Sequence, residues 1–268
     1  MASPRSGLLG QPPCSHGLAA TLTTVPRERP AAGPRWIEVA PERFPGWITS
    51  FAERHGPARA EPGAEVVVFR AADGAVASCH PPFPPLDPAH LAATGGVPAR
   101  VPPPGTVRAV IRQSRLIAAH AAADRTVGVL LVRLGGYAAG VFTGAPPGLV
   151  ASKVGRRLVH GRSAAGGQSQ HRFARRRDKQ ATEALTAAAD TAAAVFSGYP
   201  GPLDAVVLGG DRRAVAALRE DPRLARYFGI AVDRFLAVPD PRLAVLKDTP
   251  RLFRAIRIQL TEPVPSPP

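Results

Sequence analysis

The stretch Val127-Gly128-Val129-Leu130-Leu131-Val132-Arg133-Leu134, followed by Gly135-Gly136 and then Tyr137-Ala138-Ala139-Gly140-Val141-Phe142, decides the fold class. Its apolar residues occupy consecutive positions instead of alternating, which is the pattern of strands covered on both faces. The glycine pair is a turn, so the stretch predicts a β-hairpin buried on both sides. Working outward toward the C-terminus, basic and glycine-rich sequence leads to a long helix over Gln170–Phe196. Ser169 is its predicted N-cap, and Ala181, Ala184, Leu185, Ala188, Ala192, Val195 and Phe196 form its apolar stripe. Asp204–Leu208 reads as a buried strand, and Gly209-Gly210-Asp211 as a turn into a helix reaching about Arg219. Phe235–Val238 reads as a short strand, Leu243–Leu246 as part of a further helix and Ile256–Leu260 as a last strand. Strands alternating with helices predict an α/β class with a mixed β-sheet flanked by helices.

Outward toward the N-terminus the pattern is less regular. Trp36-Ile37-Glu38-Val39 reads as extended, and Pro41 opens a helix with Phe44, Trp47, Ile48 and Phe51 on one face. Glu65–Arg70 and Ala75–Ser78 around Asp73-Gly74 predict a second hairpin. Residues 81–105 are dominated by proline and glycine, and Val107–Ala123 is a candidate helix. The division expected is a disordered extension over 1–33, a smaller N-terminal α+β portion with its Pro/Gly-rich linker over 34–125, a catalytic domain over 126–262 and a Pro-rich tail over 263–268.

Composition excludes some classes. With 268 residues and 45% hydrophobic content, the chain can bury one large core or two modest ones. Its two cysteines, Cys14 and Cys79, are too few for a disulfide framework and lack zinc-site spacing, so a cytoplasmic location is expected. No apolar run has the length of a signal-peptide core or a membrane span, so no membrane partner is expected. No Gly-x-x-x-x-Gly-Lys loop points to nucleotide hydrolysis.

The net charge of +14 suits a polyanionic partner, although an Ala-, Pro-, Gly- and Arg-rich composition also follows from GC-rich coding. The distribution says more. Between Lys153 and Lys179 stand nine basic residues and one acid, Asp178, a net of +8. Within this segment lies Gly166-Gly167-Gln168, immediately before the predicted long helix. Paired glycines let backbone amides approach a substrate, and a helix N-terminus offers unpaired N–H donors to an oxyanion or a phosphate. An ordinary glycine-rich turn would look similar in isolation. The helix beyond it discriminates: Arg172, Arg175, Arg176, Arg177 and Lys179 crowd its first turns, where the macrodipole is already positive. Arg172/Arg176 and Arg175/Lys179 are like-charge i,i+4 pairs, each costing a few tenths of a kcal/mol. Beside phosphates those costs become salt-dependent affinity. Arg156, Arg157 and Arg162 extend the basic segment upstream, giving eight candidate RNA-binding cations around the loop.

The run from Gly166 through Gln168, Ser169, Gln170, His171, Arg172, Phe173, Ala174 and Arg175 to Arg177 resembles the glycine-glycine-glutamine segment in the middle domain of eukaryotic and archaeal class I release factors. His160-Gly161-Arg162 resembles the approach to that segment, and looser similarity runs from Val127 to about Leu260. Within that group the chain resembles the actinobacterial branch of the Vms-like release factors, predicted peptidyl-tRNA hydrolases. The resemblance implies an RNase H-like layer architecture for the second half. It also implies Gln168 as catalytic residue with Gly166 and Gly167, and peptidyl-tRNA, the large subunit and ribosomal RNA as partners. No cofactor or metal is expected, and a monomer is the expected state. Ser163-Ala164-Ala165 makes the approach longer than in termination factors, and no codon-reading domain is present, so ribosome rescue is expected rather than stop-codon recognition.

Two other functions fit the same residues: endonucleolytic cleavage near the tRNA 3′ end, with arginines stabilising the transition state, and a non-catalytic RNA- or ribosome-binding module. Ser169, His171 and Asp178 are a weaker hydrolase set, since Asp178 falls about two turns into the helix. Cys79 and His80 are strand neighbours expected on opposite faces, which disfavours a shared metal.

Overall fold

Alternation of apolar and polar residues builds the first sheet. The computed structural model describes residues 33–86, 106–133, 135–157 and 169–263, with side chains in the last stretch from Asp178 onward. Strands β1 (Arg35–Val39), β2 (Ala58–Glu61), β3 (Val67–Ala71), β4 (Val76–His80) and β10 (Ile256–Thr261) pair in the order β1-β10-β4-β3-β2, antiparallel throughout. One face takes Val67, Phe69, Ala77, Cys79, Ile256, Ile258 and Leu260 out of water. Against it pack helix α1 (Phe44–His55), which buries Phe44, Ile48 and Phe51 at i, i+4 and i+7, and helix α2 (Val107–Ala122), which buries Leu116 and Ile117. Pro41 starts a single 3-10 turn ahead of α1, and the Thr106 hydroxyl caps α2 by accepting from the Ala109 N–H at 3.2 Å.

The second sheet contains β5 (Val127–Arg133), β6 (Gly136–Thr143), β7 (Gly148–Arg156), β8 (Ala205–Gly210) and β9 (Ala231–Leu236) in the order β7-β6-β5-β8-β9. The β5–β6 and β6–β7 pairs are antiparallel, whereas β5–β8 and β8–β9 are parallel. Both faces are covered, which is why β5 and β6 read as unbroken apolar runs. On one side Leu130, Val132, Ala139 and Val141 meet helix α3 (Ser169–Gly198) together with Val215 of α4 (Arg212–Ala217) and Tyr227 of α5 (Ala225–Gly229). On the other, Val127, Val129, Leu131 and Phe142 meet Leu246 and Phe253 of α6 (Leu243–Phe253). The mixed α/β class expected from the sequence is the class observed.

Four strands depart from the sequence reading. Strands β2 and β7 were not foreseen, and β8 continues through Gly209 and Gly210 instead of turning there. Gly210 has φ +100° and a Cβ there would lie 2.2 Å from the Val132 carbonyl oxygen, so only glycine fits. The largest departure is the last strand: expected with the second half, β10 instead lies between β1 and β4 in the first sheet. Hydrophobicity places a strand in a core without saying which core.

Ile258, fully buried, faces Ile37 on one side and Cys79 on the other. Replacing it with alanine is expected to cost about 2–5 kcal/mol, measured by chemical denaturation of the full chain. A loss below about 1 kcal/mol would mean that β10 is dispensable to the first core.

Candidate functional site

The basic segment begins on β7, an edge strand whose pairing with β6 extends to Arg156 opposite Gly136. Two contacts fix its end. Tyr137, 8% exposed, lies directly across Gly155: a Cβ at that glycine would stand 2.4 Å from two of its ring carbons and its hydroxyl oxygen. One residue beyond the strand, the Arg157 N–H donates to the Gly135 carbonyl at 2.7 Å, tying the chain to the β5–β6 turn. Lys153, Arg156 and Arg157 all stand exposed, with no ion pair to them among the described residues.

The chain re-enters the described structure at Ser169, the first residue of α3. The buried face of the described α3 side chains starts at Ala184 and continues through Ala188, Ala189, Ala192, Val195 and Phe196, against β6 and β7. From Ser169 to Ala184 the helix axis rises about 22 Å. Along its described part, Asp178, Lys179, Ala181, Thr182 and Glu183 are exposed. Among its described side chains, the helix rests on the sheet from Ala184 onward.

The expected site residues sort accordingly. Arg156 ends β7, Arg157 follows it, and Lys179 is exposed on α3. Arg172, Arg175, Arg176 and Arg177 lie in the first turns of α3, with side chains outside the described residues. Arg162, Gly166, Gly167 and Gln168 lie outside the described residues, as do the side chains of Ser169 and His171, and with Ser169's the expected N-cap. In chain order the Gly-Gly-Gln triplet directly precedes the first helical residue. Tyr137 and Gly155 escaped the sequence reading, because the signal for β7 was a weak alternation of Val150, Ser152 and Val154 behind a Pro/Gly turn.

Other clusters are structural. Cys79 points into the first core, where burial pushes its thiol up, while His80 lies on the opposite face of β4. Burial, and after it the Arg257 charge, lowers the His80 imidazole. The Asp211 carboxylate accepts from Arg213 N–H at 2.8 Å and Ala214 N–H at 3.1 Å, so the turn after β8 caps its own helix. Among the described residues no group of three or more His, Cys, Asp or Glu side chains is placed to hold a metal, and no helix is long and apolar enough to cross a membrane.

Residues 125–259, half of the chain, match the model of a protein family described as the Actinobacteria/chloroflexi VLRF1 release factor. The chain belongs to this family. The family segment opens at Arg125, just ahead of β5, takes in the whole second sheet with α3, and ends within β10. Among solved structures, the chain is similar to an archaeal translation termination factor, aRF1, at 16% identity over 48% of this chain and 36% of that one, with a TM-score of 0.32. It thus spans about a third of that factor's length. It is also similar to a structure described as the Vms1 mitochondrial localization core, at 10% identity over 82% of this chain and 84% of that one, with a TM-score of 0.31. No curated protein matches.

Gly155→Ala is expected to lower stability by about 1–3 kcal/mol, since the new methyl collides with the Tyr137 ring. The double variant Gly155→Ala/Tyr137→Ala should lose less than the sum of the single losses in thermal denaturation. Additive losses would show that the two residues do not meet.

Proposed function

We propose that this release-factor family member hydrolyses the ester of peptidyl-tRNA on stalled ribosomes or large subunits, with Gly166-Gly167-Gln168 as its catalytic loop. The observation that carries the reading is the position of the triplet. It follows an edge strand with a fixed end and immediately precedes a 30-residue helix whose first turns are crowded with arginine. In this reading the two glycines and the amide form the working tip of the segment that links β7 to α3 in the chain. Phosphates of tRNA and ribosomal RNA supply the counter-charge for Arg156, Arg157, Arg162, Arg172, Arg175, Arg176, Arg177 and Lys179.

The chemistry follows from the residue types. A glutamine amide has no proton to exchange in the physiological range, and the loop holds no carboxylate, so Gln168 is not a general base. Its carboxamide orients the attacking water and excludes larger nucleophiles. Backbone N–H groups beside it stabilise charge developing on the carbonyl or on the departing ribose oxygen. The peptide leaves as an acid and the tRNA keeps its intact 3′ hydroxyl. Ribosomal RNA shares the task of positioning, so the reaction belongs to the docked complex.

The test is to incubate the purified protein with stalled ribosomes, or with large subunits carrying peptidyl-tRNA, and to resolve peptide and tRNA together. Free peptide and full-length tRNA are expected. A shortened tRNA with nucleotides left on the peptide would instead establish endonucleolytic cleavage. Gln168→Ala should slow release on the order of 100-fold or more while cosedimentation with ribosomes persists, and an unchanged rate would overturn the assignment. Arg156→Gln/Arg157→Gln should reduce the slope of log Kd against log salt by about 1–2, reflecting two lost phosphate contacts. A uniform loss of affinity with the slope unchanged would remove those residues from the RNA contact.

A further inference from the structure

The first sheet has a second face that neither α1 nor α2 covers. Strand pairing puts Trp36 and Glu38 of β1, Arg257 and Gln259 of β10, Ser78 and His80 of β4, Val68 and Arg70 of β3 and Arg59 of β2 on it. Every one of these residues is partly or fully exposed, whereas the opposite face is the first core. Trp36 lies over its neighbours: the Arg257 guanidinium is 4.4 Å from its ring centroid, and the His80 ring is 5.2 Å away. Even so, Trp36 stays 49% exposed. Leaving a tryptophan in water on an edge strand is unfavourable, and a short polar residue would serve the strand better.

Charge on this face is arranged for an anion. Arg59 and Arg70 stand directly opposite each other in the β2–β3 ladder, a like-charge pairing that costs stability in the free protein. Glu61 accepts from Arg70 at 2.9 Å, and no ion pair to Arg59 occurs among the described residues. Glu38 is neutralised from two sides, by Arg234 at 2.9 Å and Arg257 at 4.0 Å. Arg257 thus stands at the Trp36 ring, and the Arg59–Arg70 pair lies on the same face three to four strands away, about 14–19 Å across the sheet. Bases stack on exposed aromatic rings of open sheets while arginines meet the backbone phosphates.

We propose that this face is a second RNA contact of the protein, on which an unpaired base of single-stranded RNA stacks on the open face of Trp36. The site lies on the first sheet, outside β7, α3 and the segment between them, and it requires no hydrolysis. It therefore stands or falls separately from the Gly-Gly-Gln reading.

The probe is a fluorescein-labelled oligouridine ten-mer, titrated into the full-length protein. In a Trp47→Phe background Trp36 is the sole tryptophan, so its fluorescence should be quenched as RNA binds. Trp36→Ala should weaken binding about tenfold with the salt slope unchanged, because stacking releases no counterions. Trp36→Phe keeps an aromatic ring and should retain most of the affinity. Absence of quenching, wild-type affinity in Trp36→Ala, or equal losses in the alanine and phenylalanine variants would each overturn the proposal. Weaker ribosome binding by Trp36→Ala with unchanged oligonucleotide affinity would also overturn it, assigning the face to a protein contact.

Discussion

The ladder that Ile256–Thr261 forms with both Arg35–Val39 and Val76–His80 is the constraint on which the rest of the molecule depends. Without it β1 has no partner, and α1 and α2 lose the three buried side chains of the sheet's second strand. The same strand follows α6, which seals the second sheet, so one short segment closes the first core directly after the helix that closes the second. Arg234 of β9 adds a link by reaching Glu38 on β1. The family segment is therefore continuous in sequence, yet its final strand is spent on the sheet that lies outside most of it.

Much of this was legible in the sequence, for reasons that differ by element. The β5–β6 hairpin and α3 announce themselves because burial on both faces, or on one stripe, imposes a strong period on many consecutive residues. The Asp73-Gly74 hairpin was readable from turn chemistry. Strand β7 was not, because an edge strand with exposed Lys153 and Arg156 has no reason to look apolar. The partner of β10 was not readable either: Ile256, Ile258 and Leu260 would satisfy any half-buried sheet, and long-range pairing is decided by the whole chain. For the site, residue types and spacing pointed to Gln168 and the cations around it. The Tyr137–Gly155 contact, which packs the end of β7 against β6, depends on register and could emerge only from the fold.

A common principle joins the basic segment and the open sheet face. In each, like charges stand at distances that reduce stability in the isolated protein: arginines four residues apart on α3, and Arg59 against Arg70 across two strands. Such placements cost stability in the free protein, and under the proposed RNA contacts they would become binding free energy with a strong dependence on salt. The hydrophobic cores lie elsewhere and are ordinary, so stability and recognition are assigned to separate surfaces.

The placement of β10 also bears on how the protein is made. Its partners on either side, β1 and β4, leave the ribosome long before it does, and they wait beside each other without the strand that belongs between them. Closing that gap is a contact of very long sequence separation, the kind that slows folding. The first sheet can therefore close only after residue 261 has emerged. The first sheet is thus kept incomplete throughout most of the chain's own synthesis, and closes only when its last strand has cleared the tunnel.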